Sequence, residues 1–149
     1  MERGRSLRRP AVVGWMRLAR VYGRVDRASA GLFGRWGLSV GQFDVLSRVG
    51  ADEGLTQGEL GEALLVTKGN VSQLLEKMEG RGLVTRRREG RTNRVYLTDE
   101  GRRLFAEAVP AQEDMISARF SGLSRSEQDQ LLKLLGKLER SVMREEAGP

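Results

Sequence analysis

Residues 55–80 read LTQGELGEALLVTKGNVSQLLEKMEG, and residues 81–99 continue RGLVTRRREGRTNRVYLTD. The first stretch predicts two short helices. Thr56 followed by Glu59 makes a capping box, and Leu55 can staple onto Leu60. A weaker start follows, with Thr67 as cap and Val66 facing Val71. Leu60, Ala63 and Leu64, then Val71, Leu74, Leu75 and Met78, recur at helical spacing. Only Leu65 and Val66 part the two helices, at 56–64 and 67–80, so the chain must turn tightly, as a helix-turn-helix does. Gly80 and Gly82 then end the second helix. Residues 83–87 and 94–98 read as two strands around a polar tip holding Gly90, which predicts a β-hairpin, or wing.

Working outward, Ser39 and Gln42 form another capping box, with Leu38 and Phe43 as its staple. That predicts a helix over 39–49, with Phe43, Leu46 and Val49 inward. Before it, Trp15, Leu18, Ala19, Tyr22, Val25, Leu32, Phe33 and Trp36 space as one long helix. After the wing, Thr98 caps a helix with Leu104, Phe105, Ala108 and Met115 on its apolar side, which Pro110 is expected to kink. Ser124 and Glu127 open a last helix striped by Leu131, Leu135, Leu138 and Val142. The fold class is mostly α with a small hairpin wing. Residues 38–99 form the winged helix-turn-helix, and 11–37 with 100–144 form a helical dimerisation region. Residues 1–10 read as a flexible basic arm. The outer helices carry more apolar surface than so small a middle can cover, and a second copy of the chain would cover it.

The 149 residues include no cysteine and no histidine. Thiolate sites, disulfides and the Ser-His-Asp arrangement are therefore excluded. Glu107, Glu113 and Asp114 are the nearest thing to an acidic cluster, and a solvated helix face explains them. Neither an enzyme nor a metal or cofactor site is expected. No apolar run is long enough to cross a membrane, and a cytoplasmic protein with no membrane partner is the expectation. The net charge of +6 favours a polyanion.

The basic side chains gather where DNA would lie. In a helix-turn-helix the start of the second helix meets base edges in the major groove. Here it offers Thr67, Lys68, Asn70, Ser72 and Gln73. Lysine suits guanine acceptors, and Asn or Gln suits adenine. Lys77, further along, suits phosphate. In the hairpin Arg86, Arg87, Arg88, Arg91 and Arg94 face only Glu89 as an opposing charge. Arg87, Arg88, Arg91 and Arg94 are the candidate contacts, with Arg91 at the tip fitted to a narrow minor groove. An ordinary solvated surface explains any one of these residues; a basic hairpin behind a helix-turn-helix is less easily explained that way.

Leu60-Gly61-Glu62-Ala63-Leu64, the run from Val66 to Leu75, Gly82-Leu83-Val84 and Val95-Tyr96-Leu97-Thr98-Asp99-Glu100-Gly101 together resemble the MarR (multiple antibiotic resistance regulator) family of bacterial transcription factors. The helix order extends the resemblance over residues 11–143. The family's wing carries Asp-x-Arg; here Glu89-Gly90-Arg91 stands in its place, in a loop a residue or two shorter. The resemblance implies a homodimer on a pseudo-palindromic double-stranded DNA operator, a repressor released by a small aromatic or anionic ligand. Trp15, Met16, Arg20, Phe43 and Arg48, near the junction of arm and DNA-binding lobe, are the candidate ligand residues. An architectural DNA binder and a protein-interaction winged helix are the alternatives. The first would show little sequence preference, the second weak and salt-insensitive DNA binding.

Overall fold

The computed structural model describes residues 9–64 and 68–148, with backbone alone at 68 and 69. Residues 1–8 of the expected arm at 1–10, and the cap and staple at Thr67 and Val66, lie outside the described residues. Two compact units divide the chain, 1–113 and 114–149.

In the first unit, α1 runs Pro10–Phe33, and proline at its start supplies a pre-set φ where no intrahelical N–H is needed. A 3-10 turn, Gly34–Trp36, follows. Gly37 then reverses the chain at φ 65°, a left-handed conformation that side chains disfavour. Helix α2, Val40–Ala51, begins at the predicted box: the Gln42 N–H donates to Ser39 Oγ, and the Ser39 N–H donates to Gln42 Oε1, both at 3.1 Å. Leu38 and Phe43, the predicted staple, are both buried. Helix α3 is Gln57–Leu64, where the Glu59 N–H donates to Thr56 Oγ1 at 3.1 Å, so Thr56 caps as expected. Helix α4 is Lys68–Gly80. Its end is a Schellman closure, with the Leu83 N–H on Met78 O, the Gly82 N–H on Glu79 O, and Gly82 left-handed.

Strands β1, Val84–Glu89, and β2, Thr92–Leu97, pair antiparallel from Val84–Leu97 out to Glu89–Thr92. Gly90, at φ 61°, takes the first of two tip positions, a left-handed conformation that glycine adopts without a Cβ penalty. The outer edge of β2 is also paired: the Val95 N–H donates to Leu55 O and the Gly54 N–H to Val95 O. That edge therefore offers no bare ladder to another chain. Helix α5, Asp99–Arg119, starts on Thr98, whose Oγ1 accepts the Gly101 N–H at 3.0 Å. The helix runs on through Pro110, so the proline costs one backbone bond without ending it.

The core of this unit joins Phe33, Phe43, Leu46, Val49, Leu60, Val71, Leu75, Met78 and Val95 with Ala108 of α5. Phe33 and Phe43 stack at 3.9 Å between centroids, which fixes the end of α1 against α2. Each large side chain buried this fully contributes roughly 1.5–3 kcal/mol. Two glycines let α5 come close. A Cβ at Gly50 would run into the Phe105 ring, and one at Gly101 would run into the Leu83 carbonyl.

The second unit holds the end of α5 and helix α6, Arg125–Ala147. Its predicted box is present: the Glu127 N–H donates to Ser124 Oγ at 3.2 Å and the Ser124 N–H to Glu127 Oε1 at 2.8 Å. The Ser124 backbone N–H first, and its hydroxyl second, hydrogen-bond the ionised carboxylate and hold the Glu127 pKa below its ordinary value. Leu132, Leu134, Leu135, Leu138, Val142 and Met143 are all exposed on α6. Among the described residues no helix is long and apolar enough to cross a membrane.

Candidate DNA interface

Helix α4 turns Val71, Leu75 and Met78 into the core. At 100° per residue, Asn70, Gln73 and Lys77 then fall on the opposite face, and all three are exposed. Ser72 lies beside that face and is half-buried. Thr67 lies outside the described residues, as does the Lys68 side chain. The exposed face is short and polar, with one cation at its far end. It can present amide and ammonium groups to base edges without lifting an apolar group out of the core.

The hairpin sorts its arginines by register. Side chains alternate faces along each strand. Val84 and Arg86 share the inward face with Val95 and Leu97, while Arg87 and Glu89 share the outer face with Arg94 and Tyr96. Inward-facing Arg86 becomes a brace. Its Nε donates to Glu79 Oε1 of α4 at 2.7 Å, and its Nη1 donates to Gln57 Oε1 of α3 at 3.4 Å. The wing is thereby tied to both helices of the helix-turn-helix. Arg94 is engaged twice, by the Glu89 carboxylate at 2.6 Å and by Gly54 O at 2.8 Å. Glu89 thus holds the strand arginine rather than the tip.

Three cations remain toward solvent. Arg87 lies over the Tyr96 ring at 4.7 Å, a contact that orients it while leaving its charge uncancelled. Arg88 donates to Gly90 O at 3.3 Å. Arg91 is exposed at the apex, and among the described residues nothing pairs with it. Of the four predicted wing contacts, Arg87, Arg88 and Arg91 are exposed and uncancelled, Arg88 from the strand face it shares with Arg86, and Arg94 is committed within the chain. Which arginine does which was not readable from the run itself, because the strand register decides it.

The five predicted ligand residues do not share one cleft. Phe43 is in the core. Trp15, Met16 and Arg20 are exposed on α1. Arg48 lines an open groove of about 370 Å³ with Asp44, Ser47, Ala51, Ala63 and Leu64. Sequence reasoning missed Asp44. Its pKa is raised, first by burial and then by the neighbouring carboxylate of Asp26 on α1. The acid pair was not visible in the sequence, since eighteen positions separate its members, and only the packing of α1 on α2 joins them. Among the described residues no cluster of acidic side chains could hold a metal ion.

A helix-turn-helix with an outward polar face, braced to a basic hairpin, defines a winged-helix DNA-binding protein. The comparisons with known proteins agree. The MarR family model matches residues 36–94. An HTH-type transcriptional regulator of Bacillus cereus is 32% identical over 133 residues, covering 89% of this chain and 90% of its own. A MarR-family transcriptional regulator from Silicibacter pomeroyi superposes with TM-score 0.75 at 27% identity, over 86% of this chain and 88% of its own. The MepR–DNA complex of Staphylococcus aureus shares the fold, with TM-score 0.77 at 24% identity over 84% and 94%. The chain belongs to the MarR family of transcription regulators. It is a DNA-binding regulator and not an enzyme.

Proposed function

We propose that the chain is a cytoplasmic, homodimeric, sequence-specific repressor that sits on a pseudo-palindromic duplex and leaves it when a small ligand binds. The observation that carries the DNA-reading part is the pairing of the Asn70, Gln73 and Lys77 face with the uncancelled Arg87, Arg88 and Arg91 on the braced wing. The helix face reads bases, helped by Ser72 beside it and by Thr67 and Lys68 from the sequence reading; Lys77, Arg87 and Arg88 hold phosphates; Arg91 enters the minor groove. Arg94 serves the wing's shape.

The dimer is favoured by apolar surface in both units. Trp15, Leu18, Val21 and Tyr22 are exposed on α1, and the leucine stripe is exposed on α6. Apolar patches of this kind mark association sites. Release by a ligand is favoured by the Arg48 groove. Its Ala63 and Leu64 wall is the end of α3. A small aromatic anion suits that cation and that apolar wall. It would release DNA only by binding the DNA-incompetent state more tightly.

The test is selection from a library of randomised duplexes with the full chain. The expected result is an enriched site with two-fold symmetry and half-sites about 10 base pairs apart. A protein that enriches nothing, while still binding duplexes in a salt-sensitive way, is an architectural binder instead.

A further inference from the structure

The residue that follows the recognition helix ties it to the 3-10 turn after α1. Arg81 follows α4 directly. Its Nη2 donates to Trp36 O and its Nη1 to Gly37 O, both at 2.8 Å. The left-handed Gly37 turns these consecutive carbonyls toward one guanidinium. A planar fork can satisfy both, and a lysine cannot. Trp36 continues the chain of contacts, since its Nε1–H donates to Glu107 Oε2 on α5 at 3.2 Å. All of these bonds are exposed, so none is needed to satisfy a buried group. At the other end, the Arg81 N–H donates to Lys77 O at 3.2 Å, on the face that reads DNA.

We propose that Arg81 and Trp36 are positioning residues, a link that sets the angle of α4 against the long helices α1 and α5. The link rests on α4 being the DNA-reading helix. Base contacts tolerate little displacement, whereas phosphate contacts through long cations tolerate more. Loosening the link therefore lowers discrimination between sequences more than it lowers general DNA affinity.

The experiment measures the affinity of the full chain for its selected duplex and for a scrambled duplex, across a range of salt. Arg81→Ala is expected to weaken the selected duplex about tenfold and the scrambled one by less than about twofold, with the salt slope unchanged. Trp36→Phe, which keeps an aromatic ring and removes the indole donor, shifts the same ratio the same way. The double variant is no worse than the stronger single one, because both act through one link. Arg81→Lys keeps the charge, loses the fork, and gives the same pattern should the alanine variant fold poorly. A uniform loss on both duplexes with a shallower salt slope would make Arg81 a phosphate contact and overturn the proposal. Unchanged discrimination in both single variants overturns it as well. A wild-type chain that selects no duplex removes the reading beneath the proposal, and the link falls with it.

Discussion

Two neighbouring arginines on one hairpin should fail in opposite ways. Arg91 stands exposed at the tip with no partner among the described residues. Arg91→Ala therefore removes no intramolecular bond, and the thermal midpoint should stay where it is. A charged hydrogen bond to DNA contributes about 1.5–3 kcal/mol, and solvent at the tip brings that to about 1–2. A dimer carries two wings, so the loss is about 2–4 kcal/mol, roughly 30- to 800-fold in affinity. Arg94→Ala is the counterpart. It strips a half-exposed ion pair to Glu89 and a bond to Gly54 O. The first contributes about 0.2–1 kcal/mol and the second about 1, so stability should fall by about 1–2 kcal/mol. Fluorescence anisotropy on the selected duplex reads affinity, and calorimetric unfolding reads stability. A destabilised Arg91→Ala, or a stable Arg94→Ala that no longer binds, would refute this division of labour.

Lys77→Ala should weaken all duplexes alike and make the salt slope shallower by about 2 per dimer, since two phosphate contacts are lost; an unchanged slope would take Lys77 off the phosphates. Gly101→Ala should destabilise by about 1–3 kcal/mol, because the new methyl meets the Leu83 carbonyl, a backbone atom that cannot swing aside; a neutral result in urea unfolding would contradict that packing. Asp44 has a raised pKa in the folded chain, so the native state prefers it protonated. Its favourable contribution is present below the ordinary value of 3.8 and is lost as pH rises through the raised one. Asp44→Asn should therefore raise the thermal midpoint at pH 7, with the gain vanishing as pH falls toward 3.8. A gain that is the same at both pH values would remove burial and Asp26 as the cause.

Much of the fold was legible because its signals are local. The boxes at Ser39 and Ser124 and the cap at Thr56 depend on residues three apart, and each is present as read. The wing was legible from β-branched pairs around Gly90. Pro110 sits inside α5, which runs on through it, with Ala108 and Val109 packed against the core just before it. The site was legible as a region and not as roles. Arg86, Arg87, Arg88, Arg91 and Arg94 look alike in a run. Pairing with Glu79 across a helix, or with Glu89 across a strand, separates the braces from the outward cations. Those partners are set by tertiary register, which no short window contains. Phe43 shows the same limit: an aromatic near Arg48 in sequence stacks on Phe33 and not in the groove.

Where the wing meets DNA decides whether this hairpin is a minor-groove probe. The chain has no cysteine, so Thr92→Cys places a single thiol beside the tip for an iron chelate that cleaves nearby deoxyribose. On the selected duplex a wing in the minor groove gives two clusters of cuts, related by the two-fold axis and offset as minor-groove attack requires. Cuts scattered evenly along the duplex, or none from a bound protein, would contradict it.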